Sequence, residues 1–188
     1  MYLKGKKVLL RSVEKDDIDM LRDLTNSPDF EKMIVGYSFP ISKKDQEQWY
    51  DNYKASDKTL RFIIETEEDG AIGMTGLQNI DWKNGVADAG GMRVAKTNLR
   101  CKGIATDAYM TLFKYAFEEL RLNRINGSAL SYNAPSLHVT QKVGFKQEGV
   151  ARQAVYKNGE FVDVVKLGIL KSDYYEACER LQYWEDEK

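Results

Sequence analysis

The segment with the clearest chemical potential is 94–106, in which a polar loop containing Arg100, Lys102 and Gly103 precedes a long run of helix-forming residues. A helix N-terminus exposes unpaired N–H groups and carries about half a positive charge. Glycine at position 103 lets a ligand approach the backbone closely, and the two basic side chains add positive charge beside the amides. The loop therefore predicts an anion site suited to a phosphate or pyrophosphate.

Two well-known phosphate-binding motifs are absent from this loop. The G-x-x-x-x-G-K-[ST] spacing of a Walker loop does not occur, and neither does the G-x-G-x-x-G dinucleotide fingerprint. An ordinary polar turn followed by a helix cap is the competing interpretation of the same residues. The loop alone leaves both interpretations open.

The elements around the loop predict an α+β fold. Three Asx-Gly pairs, which tolerate positive φ and favour hairpins, mark turns between strands; the pairs are Asp69-Gly70, Asn84-Gly85 and Asn158-Gly159. Strands are predicted near residue 8 and at 60–67, 71–81, 86–94, 124–130, 145–156 and 160–170. Helices are predicted at 16–26, from Ser42 to about 55, after Gly103, at 135–142 and after Ser172. This order predicts a mixed, mostly antiparallel seven-stranded sheet in a single domain, 1–188.

The composition excludes several classes of function. Of the 188 residues 43% are apolar, 30% are charged and the net charge is −1, so we expect a globular protein and no nucleic-acid partner. No apolar run approaches the roughly 20 residues of a membrane helix. Two distant cysteines predict a reducing, cytoplasmic location, and a single histidine, His138, argues against a metal site built on several histidines.

Three motifs carry a resemblance to a known family. The loop Arg100-Cys-Lys-Gly-Ile-Ala105 resembles the Q/R-x-x-G-x-G/A motif of the GNAT superfamily of acyl-CoA-dependent N-acetyltransferases, although Cys101 stands where glycine is usual. The segment from Asn133 to Phe145 is similar to the N-x-x-S…E-K-x-G-F signature of its RimJ/RimL-like branch, whose named members acetylate the N-termini of ribosomal proteins. The G-F…E-G…R…G…D tail resembles the same branch, and the match spans about 8–170.

This resemblance implies a GNAT fold, with helices on both faces of the sheet and the fourth and fifth strands splayed apart. It implies acetyl-CoA as the cofactor, with the pyrophosphate on the loop amides and the pantetheine arm along the fourth strand. The implied cofactor-binding residues are Met92, Arg93, Val94, Arg100, Cys101, Lys102, Gly103, Ile104, Ala105, Thr106 and Asn133.

The resemblance also implies direct attack of an amine on the thioester in a ternary complex. Asp88, on the fourth strand, is the expected general base, and an exposed strand carboxylate with no role is the alternative. Ser136 is the expected acid for the leaving thiolate, because Thr140 stands where many members have tyrosine; helix capping is the alternative for Ser136. A backbone N–H near Met92 is expected to stabilise the oxyanion.

The acceptor is the least determined part of the prediction. In this family the first two helices and the late hairpin build the acceptor pocket, which implies substrate contacts from Tyr37, Phe39, Trp49, Tyr50, Trp82 and Tyr156. The acceptor is a protein N-terminus, an amino sugar or a small amine, and Asp29, Glu31 and Asp45 are available to attract a cationic one.

The sequence leaves three functions and the oligomeric state undecided. Besides the enzyme, the sequence allows a non-catalytic acyl-CoA-binding or sensing protein, which the missing tyrosine favours, and an interaction domain without cofactor. Family members are often dimers, so a homodimer is also considered.

Overall fold

The centre of the computed structural model, which describes residues 2–36, 39–53, 56–95 and 102–184, is an eight-stranded sheet. The strand order is β1-β2-β3-β4-β5-β6-β8-β7, and every neighbouring pair is antiparallel except β5 and β6. The strands are β1 (Tyr2–Lys4), β2 (Leu9–Arg11), β3 (Thr59–Thr66), β4 (Gly70–Asp81), β5 (Val86–Val94), β6 (Arg124–Leu130), β7 (Lys146–Lys157) and β8 (Glu160–Leu170).

The α+β fold with a mixed, mostly antiparallel sheet is confirmed, but the predicted count of seven strands is wrong. The first strand is two short ones, β1 and β2, which form a hairpin closed by a hydrogen bond from the N–H of Gly5 to the carbonyl of Val8 (2.8 Å). Three residues are too few to show an alternating pattern, so β1 was not predictable from periodicity.

Helices cover both faces of the sheet and lie close to their predicted positions, except for the short helix Pro28–Glu31, which was not predicted. They are α1 (Ile18–Thr25), α2 (Pro28–Glu31), α3 (Lys43–Asn52), α4 (Ile104–Lys114, extended by a π-helical turn, Tyr115–Glu119), α5 (Ala134–Lys142) and α6 (Lys171–Leu181). Ser42 caps α3 as predicted, accepting from the N–H of Asp45 (3.1 Å). The predicted cap at Ser172 is wrong, because Asp173 accepts from the N–H of Leu170 (2.9 Å) and α6 begins before Ser172. No helix in these ranges is long and apolar enough to cross a membrane.

The main core lies between the sheet and α4, whose apolar side chains recur with helical spacing. Ala108, Leu112, Phe113 and Phe117 are all fully buried. A smaller core on the opposite face joins α1 and α3 to β3. Because successive strand residues point to opposite faces, each strand of the central sheet supplies one set of side chains to each layer.

The pairing of β5 with β6 is short. The two strands pair over only three positions, from Val86 with Arg124 to Asp88 with Asn126, although β5 continues to Val94 and β6 to Leu130. This confirms the expected separation of the fourth and fifth predicted strands. On its other side β5 has a bulge, since the register with β4 skips Gly91 and Met92.

We predict that Phe113→Ala lowers the free energy of unfolding by about 3–5 kcal/mol, because a large core side chain is replaced by a cavity. Phe113 is fully buried and its ring contacts that of Phe145, with centroids 5.6 Å apart. Urea unfolding is the measurement, and Phe161→Ala, at a side chain that is 66% exposed, is the matched control. Equal losses in the two variants would contradict this assignment of the core.

Candidate active site

Asp88 lies where β5 and β6 part. It is the last residue of β5 that pairs with β6, and it is half-buried on the sheet face opposite α4. One carboxylate oxygen accepts a hydrogen bond from the side-chain amide of Asn126 on β6 (3.0 Å), and the other accepts from that of Asn79 on β4 (2.8 Å). The carboxylate is therefore held in one orientation by donors on both neighbouring strands.

A chain of hydrogen bonds extends from Asp88 towards β7. The side-chain oxygen of Asn126 accepts from Nε of Arg124 (2.7 Å), and the Arg124 guanidinium forms a two-point ion pair with Glu148. This pairing raises the pKa of Arg124 and lowers the pKa of Glu148. A Cβ on Gly168 of β8 would lie 2.5 Å from atoms of both partners, so glycine is required there for the pair to pass over the sheet.

The N-terminus of α4 has the geometry expected of an anion site. Gly103 precedes the helix with φ +80°, a conformation that favours glycine, and its carbonyl accepts from the N–H of Asp107 (2.9 Å). The side chains of Ile104 and Thr106 are buried and Ala105 is half-buried, so this turn offers a ligand mainly its backbone N–H groups. Arg100 and Cys101, also predicted to contact the cofactor, lie outside the described residues, whereas Lys102 is described and exposed.

Two further residues at this helix N-terminus, Asp107 and Lys7, were not predicted from the sequence. The fully buried carboxylate of Asp107 accepts from the backbone N–H groups of Lys6 (3.0 Å), Lys7 (2.5 Å) and Val8 (2.8 Å), which fixes the β1–β2 loop beside α4. The Nζ of Lys7 donates to the carbonyl of Lys102 (2.8 Å) and lies 3.4 Å from where a Cβ on Gly103 would be. The loop therefore adds a cation next to the α4 N-terminus.

The predicted residues of β5 are divided between the two faces. Met92 and Val94 pack against the main core, whereas the side chain of Arg93 lies on the face of Asp88. There its Nη1 donates to the hydroxyl of Thr25 (3.3 Å), and its guanidinium lies 5.0 Å from the centre of the Phe30 ring. Only the backbone of these three residues borders the separation between β5 and β6.

Asn133 and Ser136 lie together in the first turn of α5. The side-chain oxygen of Asn133 accepts from the N–H of Ser136 (3.1 Å), so Asn133 is the cap and the capping interpretation of Ser136 is wrong. Asn133 also donates to the carbonyl of Met33 (2.8 Å). The half-buried hydroxyl of Ser136 has no hydrogen-bond partner among the described residues. The hydroxyl of Thr140 is buried and donates to the carbonyls of Ser136 (2.9 Å) and Leu137 (3.0 Å), so it is not available to a ligand.

The separated parallel strands and the glycine-led helix after β5 agree with a comparison against known protein families. Residues 7–146 match the family described as acetyltransferase (GNAT) domain. The chain belongs to the GNAT acetyltransferase family.

Relatives of this acetyltransferase extend over nearly its whole length. It is 30% identical over 175 residues to the uncharacterized N-acetyltransferase p20 of Bacillus licheniformis, covering 92% of this chain and 97% of the relative. It is 25% identical over 178 residues to the spermidine N(1)-acetyltransferase of Vibrio cholerae, covering 93% and 99%. A crystal structure of the Vibrio cholerae spermidine N-acetyltransferase with CoA and spermine superposes with a TM-score of 0.82 at 23% identity, covering 91% of this chain and 99% of the other.

This chain is thus an N-acetyltransferase that depends on acetyl-CoA. The described residues fit that cofactor, since the N–H groups of the first turn of α4 and the Lys7 ammonium suit phosphate, and Gly103 keeps a Cβ out of the approach. The separated edge of β5 offers backbone groups that suit the amides of a pantetheine arm. Among the described residues there is no cluster of ligands that could hold a metal.

The aromatic residues predicted to contact substrate are dispersed in this acetyltransferase. Trp49 stacks on Tyr53 (ring centres 5.4 Å apart) in the layer of α3, beside Tyr50 in the smaller core. Trp82 donates to the carbonyl of Asp57 (2.5 Å) at the β4–β5 turn. Phe39 and Tyr156 are exposed, Tyr156 contacts Phe161 in the β7–β8 hairpin, and Tyr37 lies outside the described residues.

Two of the three carboxylates offered for a cationic acceptor are engaged elsewhere. Glu31 pairs with the buried ammonium of Lys157, which also donates to the carbonyl of Gly36 (2.6 Å). Asp45 accepts from the hydroxyl (2.7 Å) and the N–H (2.9 Å) of Ser42, and these hydrogen bonds lower the pKa of Asp45. Asp29 alone of the three is exposed without a partner among the described residues.

A groove lies on the face of Asp88, across β3, β4 and β5. Its cavity volume is about 70 Å³, and none of the aromatic residues predicted to contact substrate lines it. We call it the β3–β5 groove, and its lining residues are Thr59, Leu60, Arg61, Met74, Thr75, Gly76, Leu77, Gln78, Gly90, Gly91 and Arg93.

We predict that Lys7→Met raises the Kd of coenzyme A roughly 3- to 10-fold, because a charged contact to phosphate is lost at a partly exposed site. Isothermal titration calorimetry measures this without any turnover. Lys83→Met, at the turn that precedes β5 and so at the opposite end of that strand, is the control and is expected to bind as the unaltered protein does. If both variants bind coenzyme A equally well, Lys7 does not contact the phosphates.

Proposed function

We propose that this acetyltransferase acetylates a primary amine by direct attack on acetyl-CoA in a ternary complex, with Asp88 as the general base. The observation that carries the proposal is the position of Asp88 at the last paired residue of β5, with both carboxylate oxygens held by amide donors. Relatives named as spermidine acetyltransferases support an amine as the acceptor class. The RimJ/RimL-like motifs, the single domain of residues 1–188 and a homodimer remain parts of this proposal.

The residues that would hold acetyl-CoA lie along one path. The amides of the first turn of α4, with Lys102 and Lys7, hold the phosphates, and the β5 backbone from Met92 to Val94 runs beside the pantetheine arm. Asn133 borders the other side of this path, and one of its two amide N–H groups already donates to the carbonyl of Met33. Bound acetyl-CoA supplies an acetyl group activated as a thioester.

Asp88 removes a proton from the acceptor, because an ammonium cannot attack a carbonyl. Each carboxylate oxygen accepts one hydrogen bond from an asparagine amide and keeps further lone pairs for an incoming proton. Neutral amide donors orient the carboxylate without competing as acids. Aspartate is one methylene shorter than glutamate, so a single relaying water fits between the carboxylate and the amine.

Backbone and hydroxyl groups complete the transfer. The β5 bulge leaves Gly91 and Met92 without a register partner in β4, and the N–H of Met92 is the proposed donor to the carbonyl oxygen as negative charge develops there. Ser136, whose hydroxyl has no partner among the described residues, passes a proton to the departing thiolate and takes one from solvent water in exchange.

The alternative is a protein that binds acyl-CoA and transfers nothing. The engaged hydroxyl of Thr140 favours this alternative, because no tyrosine stands at that position to protonate the thiolate. Release of free thiol from acetyl-CoA in the presence of a panel of amines separates the two. Thiol release with any amine supports the enzyme, whereas binding of acetyl-CoA without thiol release supports the sensor.

We predict that Asp88→Asn lowers kcat by about 10²- to 10⁴-fold, the range for loss of a general base. The Kd of coenzyme A is expected to stay unchanged, because Asp88 lies on the face away from α4. Steady-state thiol release and calorimetry are the measurements, with Asp19→Asn on the exposed side of α1 as the control. Unchanged turnover in Asp88→Asn would exclude Asp88 as the base.

We predict that Arg124→Gln lowers kcat with little change in the Kd of coenzyme A, because Asn126 loses the donor that orients it towards Asp88. Arg124 is a positioning residue, so its effect depends on Asp88. In the Asp88→Asn background the same substitution is therefore expected to change kcat very little. If the losses in kcat from the two substitutions add in the double variant, Arg124 acts independently of Asp88, for example on folding.

A further inference from the structure

The floor of the β3–β5 groove is made of glycine. Gly76 of β4 and Gly90 of β5 are register partners, and a Cβ on Gly76 would lie 2.1 Å from the carbonyl oxygen of Leu60. The bulge residue Gly91, with φ +22°, follows directly. The absence of side chains on two paired strands opens a hollow where a sheet normally carries a ridge.

Two arginines border this hollow, and neither has a carboxylate partner. Arg61 is the register partner of Gly76 on β3, and Arg93 lies beyond the bulge on β5. No salt bridge joins either guanidinium to a carboxylate among the described residues. By contrast, Arg11, Arg22 and Arg124 all form such pairs.

Arg93 also has an unsatisfied donor. Its Nε is buried and has no hydrogen-bond partner in the described part of the chain. Burial, and next the positive charge of Arg61, lower the pKa of Arg93. An unpaired buried donor on a cation is costly, so its persistence beside a hollow indicates a ligand that supplies the missing acceptor.

Arg61 is preorganised by aromatic rings. Its guanidinium lies 5.7 Å from the ring centre of Trp49 and 5.3 Å from that of Tyr53. These contacts restrict the guanidinium, whose planar set of N–H donors suits a carboxylate or phosphate. The predicted substrate residue Trp49 therefore touches the groove through Arg61 rather than by lining it.

Residues that pair across β3, β4 and β5 form rows, and Asp88 lies one row from the hollow on the same face of the sheet. Gln78, which lines the groove, pairs with Asp88, and the next row on that face contains Arg61, Gly76 and Gly90. Rows on one face are two residues apart, which is roughly 7 Å along a strand. The base and the two cations thus lie on one face of the sheet, with Arg61 one row and Arg93 two rows from Asp88.

We propose that the β3–β5 groove binds the acceptor, and that the acceptor is a small primary amine carrying an anionic group, a carboxylate or a phosphate. The amine lies at Asp88 and the anion lies between Arg61 and Arg93. This inference rests on the proposed function and names its substrate class. Polycationic amines such as spermidine are disfavoured, since two guanidiniums without counterions repel them.

The test compares matched amines in the thiol-release assay. Glycine, β-alanine and γ-aminobutyrate are paired with their methyl esters, phosphoethanolamine is paired with ethanolamine, and spermidine is the cationic probe. We expect at least one anionic amine to exceed its neutral partner in kcat/KM on the order of 10- to 100-fold, because the neutral form leaves charged donors unpaired. Preference within the carboxylate pairs or within the phosphate pair identifies the anion.

Variants of the two arginines test the groove itself. Arg61→Gln and Arg93→Gln are expected to abolish the preference for the anionic amine, while Arg152→Gln, at an exposed arginine of β7 outside the groove, retains it. A binding readout accompanies turnover: calorimetry of the preferred anionic amine with protein saturated with coenzyme A is expected to show loss of binding in Arg61→Gln. Arg61 is only half-buried, so Arg61→Gln is expected to fold. It therefore tests the groove even if Arg93→Gln does not fold.

The outcomes separate this inference from the function on which it rests. Two outcomes would overturn the inference and leave the proposed function standing. One is equal or better turnover of the neutral amines or spermidine, and the other is an anion preference that survives Arg61→Gln. If no amine releases thiol, the proposed function fails. In that case Arg61-dependent binding of an anionic amine would still support the groove assignment, and its absence would reject it.

Discussion

The parting of β5 from β6 after Asp88 is the constraint on which the rest of the site depends. Backbone N–H and C=O groups need partners when they are removed from water, so a sheet that opens in its middle must leave those groups to solvent or to a ligand. Here the opening is maintained on one side by the β5 bulge at Gly91 and on the other by the cap of α5 at Asn133. A ligand whose arm carries amides is the natural partner for such an edge.

Charge is distributed around this opening in two separate places. On the α4 side, the buried carboxylate of Asp107 fixes a loop through three backbone N–H groups, and the loop carries Lys7 to the helix N-terminus. On the other face, Arg61 and Arg93 line the β3–β5 groove, and Asp88 lies one residue pair along the sheet from its glycine floor. We propose that the two faces bind two different ligands, an acyl-CoA with its phosphates and an acceptor with an anionic group, which meet where the strands separate.

The fold was largely predictable from the sequence, because Asx-Gly turns and alternating strands are local signals. The strand 86–94 and the helix after Gly103 were predicted closely for this reason. The surroundings of the site were less predictable, since Lys7 reaches α4 by contacts between residues about a hundred positions apart in the sequence. Residue type also does not show which way a side chain points. Trp82 was expected in the acceptor pocket and instead donates to the carbonyl of Asp57 before β3, and nothing in the sequence pointed to Arg61.

We propose that the opening beside β5 receives the arm of coenzyme A. Hydrogen–deuterium exchange of the backbone amides, with and without coenzyme A, is the decisive measurement, because exchange reports each N–H group separately. We expect the amides of Gly91–Val94 and of the first turn of α4 to become protected together, while those of the β7–β8 hairpin tip do not change. If exchange of the amides at 91–94 is unchanged at saturating coenzyme A, the arm of the cofactor does not lie along β5.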